Sequence, residues 1–496
     1  VHYREIVPAV PNEKIVRVSK PSQLEQFGDK DIENPLGFGA TAALGGANGK
    51  PIYVGRVASD DLAGFRDILR KAENMDFLYG HAPLTDDYEI QLAVRDHVDL
   101  MSNEFNKKWR RAYISTPVPG DYRVLGYEED GTPYTGTITN DGSGNVVLHD
   151  SDGKFIQAKV KHGDLIRINF SSDAWGDPTF DNLADGGYLV HEVLDEETII
   201  LASGPSKPLS IPRRYEVWKK DTAGNIAIFA ASRSSSISSR RVNNVFVDGA
   251  QYLTDESEFV TLNPMYLACE IAGLRCSVLP QQGLTNTEIG LVSSAEAMFA
   301  KYTQEDLDLI AANGSFIITQ EYEDGPRFIR HQLTTKSDLG NLYYEDSVGV
   351  NIDEISFAVK GRLRPYIGRR NVNPQTISEI FNDMYGLLAD YTTDPGFGNS
   401  IGPALIGFTD LVIGINEVYK DRIDVSAKLE VPLPLNVIDA TLHATASFNE
   451  GELTLESFGI SRVGTTVDNL TTALFDSEGN VVSVGYELPL NTADNV

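Results

Sequence analysis

Cys269 and Cys276 are the only two thiols in a chain of 496 residues. They lie in L-A-C-E-I-A-G-L-R-C-S-V-L-P-Q-Q-G, Leu267 to Gly283, a stretch whose pattern reads as a helix. Seven residues of α-helix make nearly two turns, which puts both thiols on one face with Cα atoms ~10.5 Å apart. A disulfide needs Cα atoms within ~7 Å, so no bridge forms between them if the helix continues to Cys276. The pair then serves as small buried apolar residues, or as thiols that meet those of another chain.

Three further patterns have the spacing of chemical sites. G-N-S-I-G, 398–402, matches a nucleophile elbow, with Ser400 as nucleophile and Asp410 or Asp439, then His443, following in hydrolase order. An elbow needs a buried strand before its serine and a helix after it, whereas A-D-Y-T-T-D-P-G-F precedes and Pro403 follows. G-F-G-A-T-A, 37–42, matches a dinucleotide fingerprint with Asp60 downstream, but D-K-D-I-E-N-P-L is no buried strand, and a glycine-rich helix start or turn is the better reading. D-S-D-G-K at 150 opens like a calcium loop, yet Lys161 stands where the bidentate Glu belongs, so a hairpin turn is expected. The eight histidines are dispersed, with no H-x-x-x-H. No metal ligand, cofactor or catalytic residue is assigned on this basis, and the chain is not read as an enzyme.

The balance of 42 basic against 71 acidic residues, a net charge of -29, argues against nucleic acid, whose phosphates need clustered Lys and Arg. No membrane insertion is expected, because the most apolar run, Leu405 to Val418, is broken by Asp410 and Asn416. The start, V-H-Y-R-E-I-V-P-A-V, lacks a basic region followed by an apolar stretch, so no secretory leader is read in it. One positive island stands out in K-G-R-L-R-P-Y-I-G-R-R: Lys360, Arg362, Arg364, Arg369 and Arg370 form either a solvated face or a contact for an acidic partner.

The elements that would carry these residues change character along the chain. Residues 1–20 alternate short apolar patches with prolines and read as an extended arm; 21–116 read as the first part of an α/β core domain. From 117 to 222 short strands separated by E-D-G-T, N-D-G-S-G-N and A-D-G-G-Y imply an inserted β-barrel or sandwich. The α/β pattern resumes over 223–345, with N-I-A-I-F-A-A (225–231) taken as a strand and S-R-S-S-S-I-S-S-R-R as a polar loop. A mixed α+β C-terminal domain, 346–474, contains a helix from Pro374 to Tyr391, and 475–496 is again extended. The fold class is therefore α/β plus an all-β insertion, a multidomain arrangement with extended terminal arms.

Several segments in this order resemble the contractile tail sheath proteins of myovirus-type bacteriophages. S-K-P-S-Q-L-E-Q-F-G followed by L-G-F-G-A-T-A-A-L-G-G-A-N-G-K-P-I-Y-V-G-R-V is similar to the family's opening short helix, small-residue helix and strand. M-Y-L-A-C-E-I-A-G-L-R-C-S-V-L-P-Q-Q-G-L-T-N resembles its helix ending in Ala-Gly, and R-F-I-R-H-Q-L-T-T a strand ending in paired threonines. The likeness covers most of 15–60 and 245–445, with 117–222 as a variable insertion.

The resemblance implies a virion protein: stacked hexameric rings of self-associating subunits around a tail tube, contracting to drive the tube through the host envelope. It implies partners in the tube protein, the baseplate and the tail terminator, assembly in the host cytoplasm, and no cofactor. It further implies terminal arms that add strands to neighbouring subunits, carried here by Tyr3, Ile6, Val7 and Val10 and by Val481, Val482, Val484, Tyr486 and Leu488. By the same analogy the β insertion faces outward, and the C-terminal domain with its basic island faces the tube or a neighbour. A phage-like injection device or secretion-system sheath is the nearest alternative, and an α/β hydrolase using Ser400 and His443 the alternative of another class.

Overall fold

The computed structural model describes residues 14–28, 30–76, 78–120, 122–127, 131–141, 145–168, 188–202, 209–336, 344–393, 401–434, 437–448, 451–463, 474–475 and 481–482. They divide into two units, one spanning 118–229 and the other the remainder.

The larger unit begins with β1 (Ile15–Val18), a 3-10 turn at Pro21–Phe27, α1 (Pro35–Gly46) and β2 (Ile52–Gly55), which pairs antiparallel with β1. It continues through α2 (Leu62–Ala72), β3 (Gly80–His81), α3 (Tyr88–Met101) and β4 (Arg111–Ser115). The side chain of Asp61 caps α2 by accepting from Gly64 N at 2.8 Å, and Asp87 caps α3 in the same way through Ile90 N. Ser59 Oγ supports the Asp61 cap by donating to its carboxylate at 2.8 Å.

The smaller unit is a barrel built from β5 (Tyr122–Leu125), β6 (Thr135–Asn140), β7 (Val146–His149), β8 (Leu165–Ile168), β9 (Tyr188–Val193), β10 (Thr198–Leu201) and β11 (Leu209–Lys219). Strand order is β11-β6-β7-β10-β9-β8, and β8 pairs back onto β11, so six strands close while β5 also lies along β11. Closure resolves the choice between barrel and sandwich and leaves no free edge among these six. Its filling is apolar: Ile138, Leu148, Phe155, Ile166, Val190, Ile199, Tyr215 and Val217 are all buried.

After α4 (Ala223–Ile237) the larger unit resumes with β12 (Val242–Phe246), the hairpin β13 (Gln251–Leu253) and β14 (Phe259–Thr261), and α5 (Pro264–Ser277). Then come α6 (Ala297–Ala300), α7 (Gln304–Ala312), β15 (Ser315–Gln320) and β16 (Arg327–His331). The central sheet has the order β16-β15-β12-β4-β3, parallel except for β16. Every residue of β4, β12 and β15 is buried, as expected of parallel strands covered on both faces. Thr303 and Asp306 form a capping box at the start of α7.

Two helices and two ribbons complete this unit: α8 (Asp346–Leu363), α9 (Pro374–Tyr391), β17 (Gly407–Ile415) with β18 (Ile423–Glu430), and β19 (Val437–Phe448) with β20 (Gly451–Val463). Short strands β21 (Leu474–Phe475) and β22 (Val481–Val482) extend the second ribbon to four strands.

Several local expectations give way. Asn225 to Ala231 is helix, and so is most of the serine-rich stretch after it, because both belong to α4. Asp150 ends no hairpin; it is buried at the start of a turn-rich connection to β8, where its carboxylate accepts from Tyr215 OH at 2.7 Å.

Candidate functional site: an ionic clamp and an open-edged ribbon

The strongest concentration of charge lies inside the larger unit. Alternation along β4 sends Arg111 and Tyr113 to one face, and seven-residue spacing along α8 sends Asp346 and Asp353 to one face. Arg111 Nη1 donates to Asp346 at 2.8 Å, and Arg241, just before β12, makes a bidentate pair with Asp353 at 2.8 and 3.0 Å. Tyr79 OH donates to Asp353 at 2.9 Å, and Arg275 of α5 lies 3.9 Å from Asp346. Gly349 of α8 makes the room required, since a Cβ there would stand 1.6 Å from the Arg111 guanidinium.

Burial opposes charge on Arg111, but Asp346, Tyr79 and Asp353 outweigh it and hold its proton more tightly than usual. Burial and then the Asp353 carboxylate push Tyr79 well above the ordinary phenol range. A group of this kind, with bidentate geometry and every carboxylate paired, fixes α8 to the sheet. It holds no unpaired base or nucleophile poised for transfer. Breaking it by removing one partner would strand a buried charge, at a cost of about 3–5 kcal/mol.

Beside it, His97 Nε2 lies 2.7 Å from Arg110 Nη1, and His81 packs edge-on to His97. Burial first, then the neighbouring positive charge, lowers His97 to about 4, so both rings are neutral. Among the described residues no group of three His, Cys, Asp or Glu is placed to hold a metal, and no helix is long and apolar enough to cross a membrane.

Cys269 and Cys276 both lie on α5, whose helix does continue through Cys276, and both are free thiols. Burial raises Cys269 to about 12 and raises Cys276 as well, which suppresses thiolate reactivity. They line a cavity of about 580 Å³ with residues of α1, β2 and α2, including Leu36, Ile52, Phe65 and Leu69. The G-F-G-A-T-A stretch lies within α1, where Gly39 serves close packing: a Cβ there would meet Leu84 Cδ2 at 2.4 Å.

Ser400 and the side chain of His443 lie outside the described residues. Asp410 sits at a bulge in β17 with φ 52° and pairs with Lys428 at 2.6 Å on an exposed surface. Tyr3, Ile6, Val7, Val10, Val484, Tyr486 and Leu488 also fall outside the described residues, while Val481 and Val482 form β22 and pair with Phe475 and Leu474.

Two surface features remain. Lys360 and Arg362 close α8, Arg364 opens a 3-10 turn, and Arg369 and Arg370 follow Gly368 at φ 73°. All five are exposed, around Ile367 at 78% exposure. Lys360 is tethered by donating to Lys107 O at 2.9 Å, and Arg370 lies 3.4 Å from Glu379. The second feature is the β17–β18 ribbon. Its inner face, Leu411, Ile413, Ile423 and Val425, packs on α8 and α9, while Val412, Ile415 and Val418 are exposed at 60, 44 and 76%. It is a two-stranded sheet whose outer edges pair with nothing among the described residues. Sequence reading missed both the clamp and this surface, although the seven-residue spacing of Asp346 and Asp353 was visible.

No family model matches the chain, and no curated protein does. Solved structures that it resembles include contractile sheath proteins. One is the anti-feeding prophage helical sheath in its contracted state, at 11% identity over 87% of this chain and 89% of that one, with a TM-score of 0.49. Another is the PVC sheath complex of an extracellular contractile injection system, contracted, at 10% identity over 88% and 87%, TM-score 0.45. A third is the sheath tail protein of Desulfitobacterium hafniense, at 11% identity over 76% and 87%, TM-score 0.27.

Proposed function

We propose that this chain is a structural subunit of a contractile tail sheath, of a phage or a phage-like injection device, without catalytic activity. The observation that carries the reading is the β17–β18 ribbon. An isolated two-stranded ribbon is marginal in water, and its unpaired N–H and C=O groups form a template for further strands. Here helices hold the ribbon from one side and both edges stay unpaired among the described residues, so strands from neighbouring copies are its fitting occupants. The terminal segments Tyr3 to Val10 and Val484 to Leu488, read from their sequence as arms, are the proposed donors, with Val481 and Val482 at the root of the second arm.

In this reading subunits stack as hexameric rings around a tube, with the tube protein, baseplate and terminator as partners. Backbone hydrogen bonds in a shared sheet do not depend on how globular bodies pack, so the bodies rotate while the arms keep the lattice connected. The extended lattice is metastable, and contraction enlarges the interfaces between bodies, one ring biasing the next. No nucleotide is required.

Electron microscopy of the purified chain tests this. Rings or striated tubes are expected, and deleting 483–496 should leave a folded body that forms no extended lattice. A strictly monomeric wild type at high concentration, even with tube protein present, would refute the reading.

A further inference from the structure

We propose that the barrel of residues 118–229 carries two complementary faces through which copies of this chain associate head to tail. The inference deepens the reading of the chain as an assembling subunit and rests on it. One face is basic and aromatic. Along β11, Tyr215 and Val217 fill the barrel, so Arg214, Glu216 and Trp218 alternate outward. Strand register sets Arg167 of β8 opposite Glu216 and Arg123 of β5 opposite Trp218. The Arg167 guanidinium lies 4.3 Å from the Trp218 ring centroid, and those of Arg123 and Arg214 lie 4.9 and 4.5 Å from the Tyr127 centroid.

Beneath this layer the Glu216 carboxylate is nearly inaccessible. It accepts from Arg123 and Arg214 at 2.9 Å each and from Trp218 Nε1 at 3.0 Å. Three guanidiniums over one carboxylate leave two positive charges on this face, in a chain whose net charge is -29. Stacking holds the guanidiniums in place, so less freedom is lost when they meet an anion. The face is open: Arg123 and Tyr127 are each 42% exposed.

The other face is the acidic turn between β9 and β10. Asp195, Glu196 and Glu197 are exposed there, with Asp152 exposed on the adjoining connection. The Glu196 carboxylate accepts from Ile156 N and Gln157 N at 2.9 and 3.2 Å, and Asp150 N donates to Glu197 O, so turn and connection form one surface. That surface also exposes Leu194 and Ile156, at 51 and 55%. In the closed order β11-β6-β7-β10-β9-β8 this turn lies across the barrel from β11. Complementary patches on opposite sides of one body do not satisfy each other within a copy. They make a heterologous contact, which propagates into rings or filaments. The charge complementarity of the two faces selects a second copy as the occupant.

The test measures self-association of the full chain by sedimentation at low and high salt. Asp195→Lys with Glu197→Lys should weaken association by about tenfold or more, as should Arg123→Glu with Arg167→Glu. Combining all four changes should restore it, and a thermal melt of each variant reports whether the barrel is intact. The acidic-turn variant changes only exposed side chains, and the hydrogen bond it removes, from Glu197 N to Asp195 Oδ1 at 2.9 Å, is local to the turn, so it decides the question even if the arginine variant melts early. Tubes that form normally from the Asp195→Lys, Glu197→Lys variant would overturn this inference and leave the sheath reading standing. A wild type that stays monomeric would overturn both. Retention of the wild type on heparin, lost in the arginine variant and unaccompanied by self-association, would overturn it in favour of a foreign polyanion.

Discussion

Glu270 shows how much one side chain on α5 is constrained. Its carboxylate accepts from Gly290 N at 3.0 Å and from Leu291 N at 3.2 Å, holding the loop before α6. Burial nevertheless dominates and raises the group from its ordinary 4.5 to about 7. A carboxyl that binds its proton more tightly when folded stabilises the protein fully below its unfolded value, and that stabilisation is lost as pH rises from about 4.5 to 7. The slope reaches about 1.4 kcal/mol per pH unit. His97 works in the opposite sense, losing stabilisation as pH falls from 6.5 to about 4. The difference between wild type and Glu270→Gln therefore isolates the glutamate. The variant should gain stability relative to wild type between pH 5 and 8 in denaturant titrations, and parallel pH profiles would rule this out.

Among the elements, the α1–α5 crossing is the most sharply specified. A Cβ on Gly46 would stand 2.2 Å from Glu270 O, and one on Gly273 would stand 2.1 Å from Ala43 O, so each glycine admits the other helix's backbone. Alanine is favoured over glycine in a helix by about 1 kcal/mol. A backbone clash costs more, roughly 1–3 kcal/mol after relaxation. Gly273→Ala should therefore destabilise, whereas Gly45→Ala on the same α1, with open space around it, should be neutral or stabilising in thermal melts. Equal effects at both positions would mean that the crossing is not tight.

The sequence displayed some elements openly and hid others for physical reasons. Helix α9 was legible because Ile380, Met384, Leu387 and Leu388 repeat at helical spacing. Helix α8 was not, because its inner face carries Asp346 and Asp353, which pair with arginines, and Asn351, whose Nδ2 donates to Ala404 O at 2.6 Å, and these polar residues break the apolar period. Helix α4 was misread for a related reason: its serines read as loop. Yet Ser235 and Ser236 bond back to carbonyls of their own helix, and Ser234 is buried against Ser315 at 2.7 Å. The spacing Ile226, Ala230, Ser234, Ile237, all fully buried, carried the helical signal. The basic island was legible as charge, but nothing local in the sequence announced that its neighbouring ribbon would keep two edges unpaired among the described residues.

For the molecule as a whole, the island at Lys360 to Arg370 is the proposed contact with the tube or a neighbour. Reversing Arg369 and Arg370 to Glu should lower the yield of lattice on tubes severalfold while leaving the melt within about 0.5 kcal/mol of wild type, as expected of exposed positions. Unchanged assembly by negative-stain counting would remove the island from the interface.

The clamp of Arg111, Arg241, Asp346 and Asp353 has a mechanical meaning in such an assembly. Ion pairs buried at 2.8 Å resist both shear and twist, because small displacements forfeit the bidentate geometry that offsets desolvation. If the chain assembles as proposed, the sheet and α8 would act as a stiff gear tooth, passing torque onward without absorbing it. In a sheath of the proposed kind, elastic energy would then be stored less in this part of a subunit than in the joints between copies.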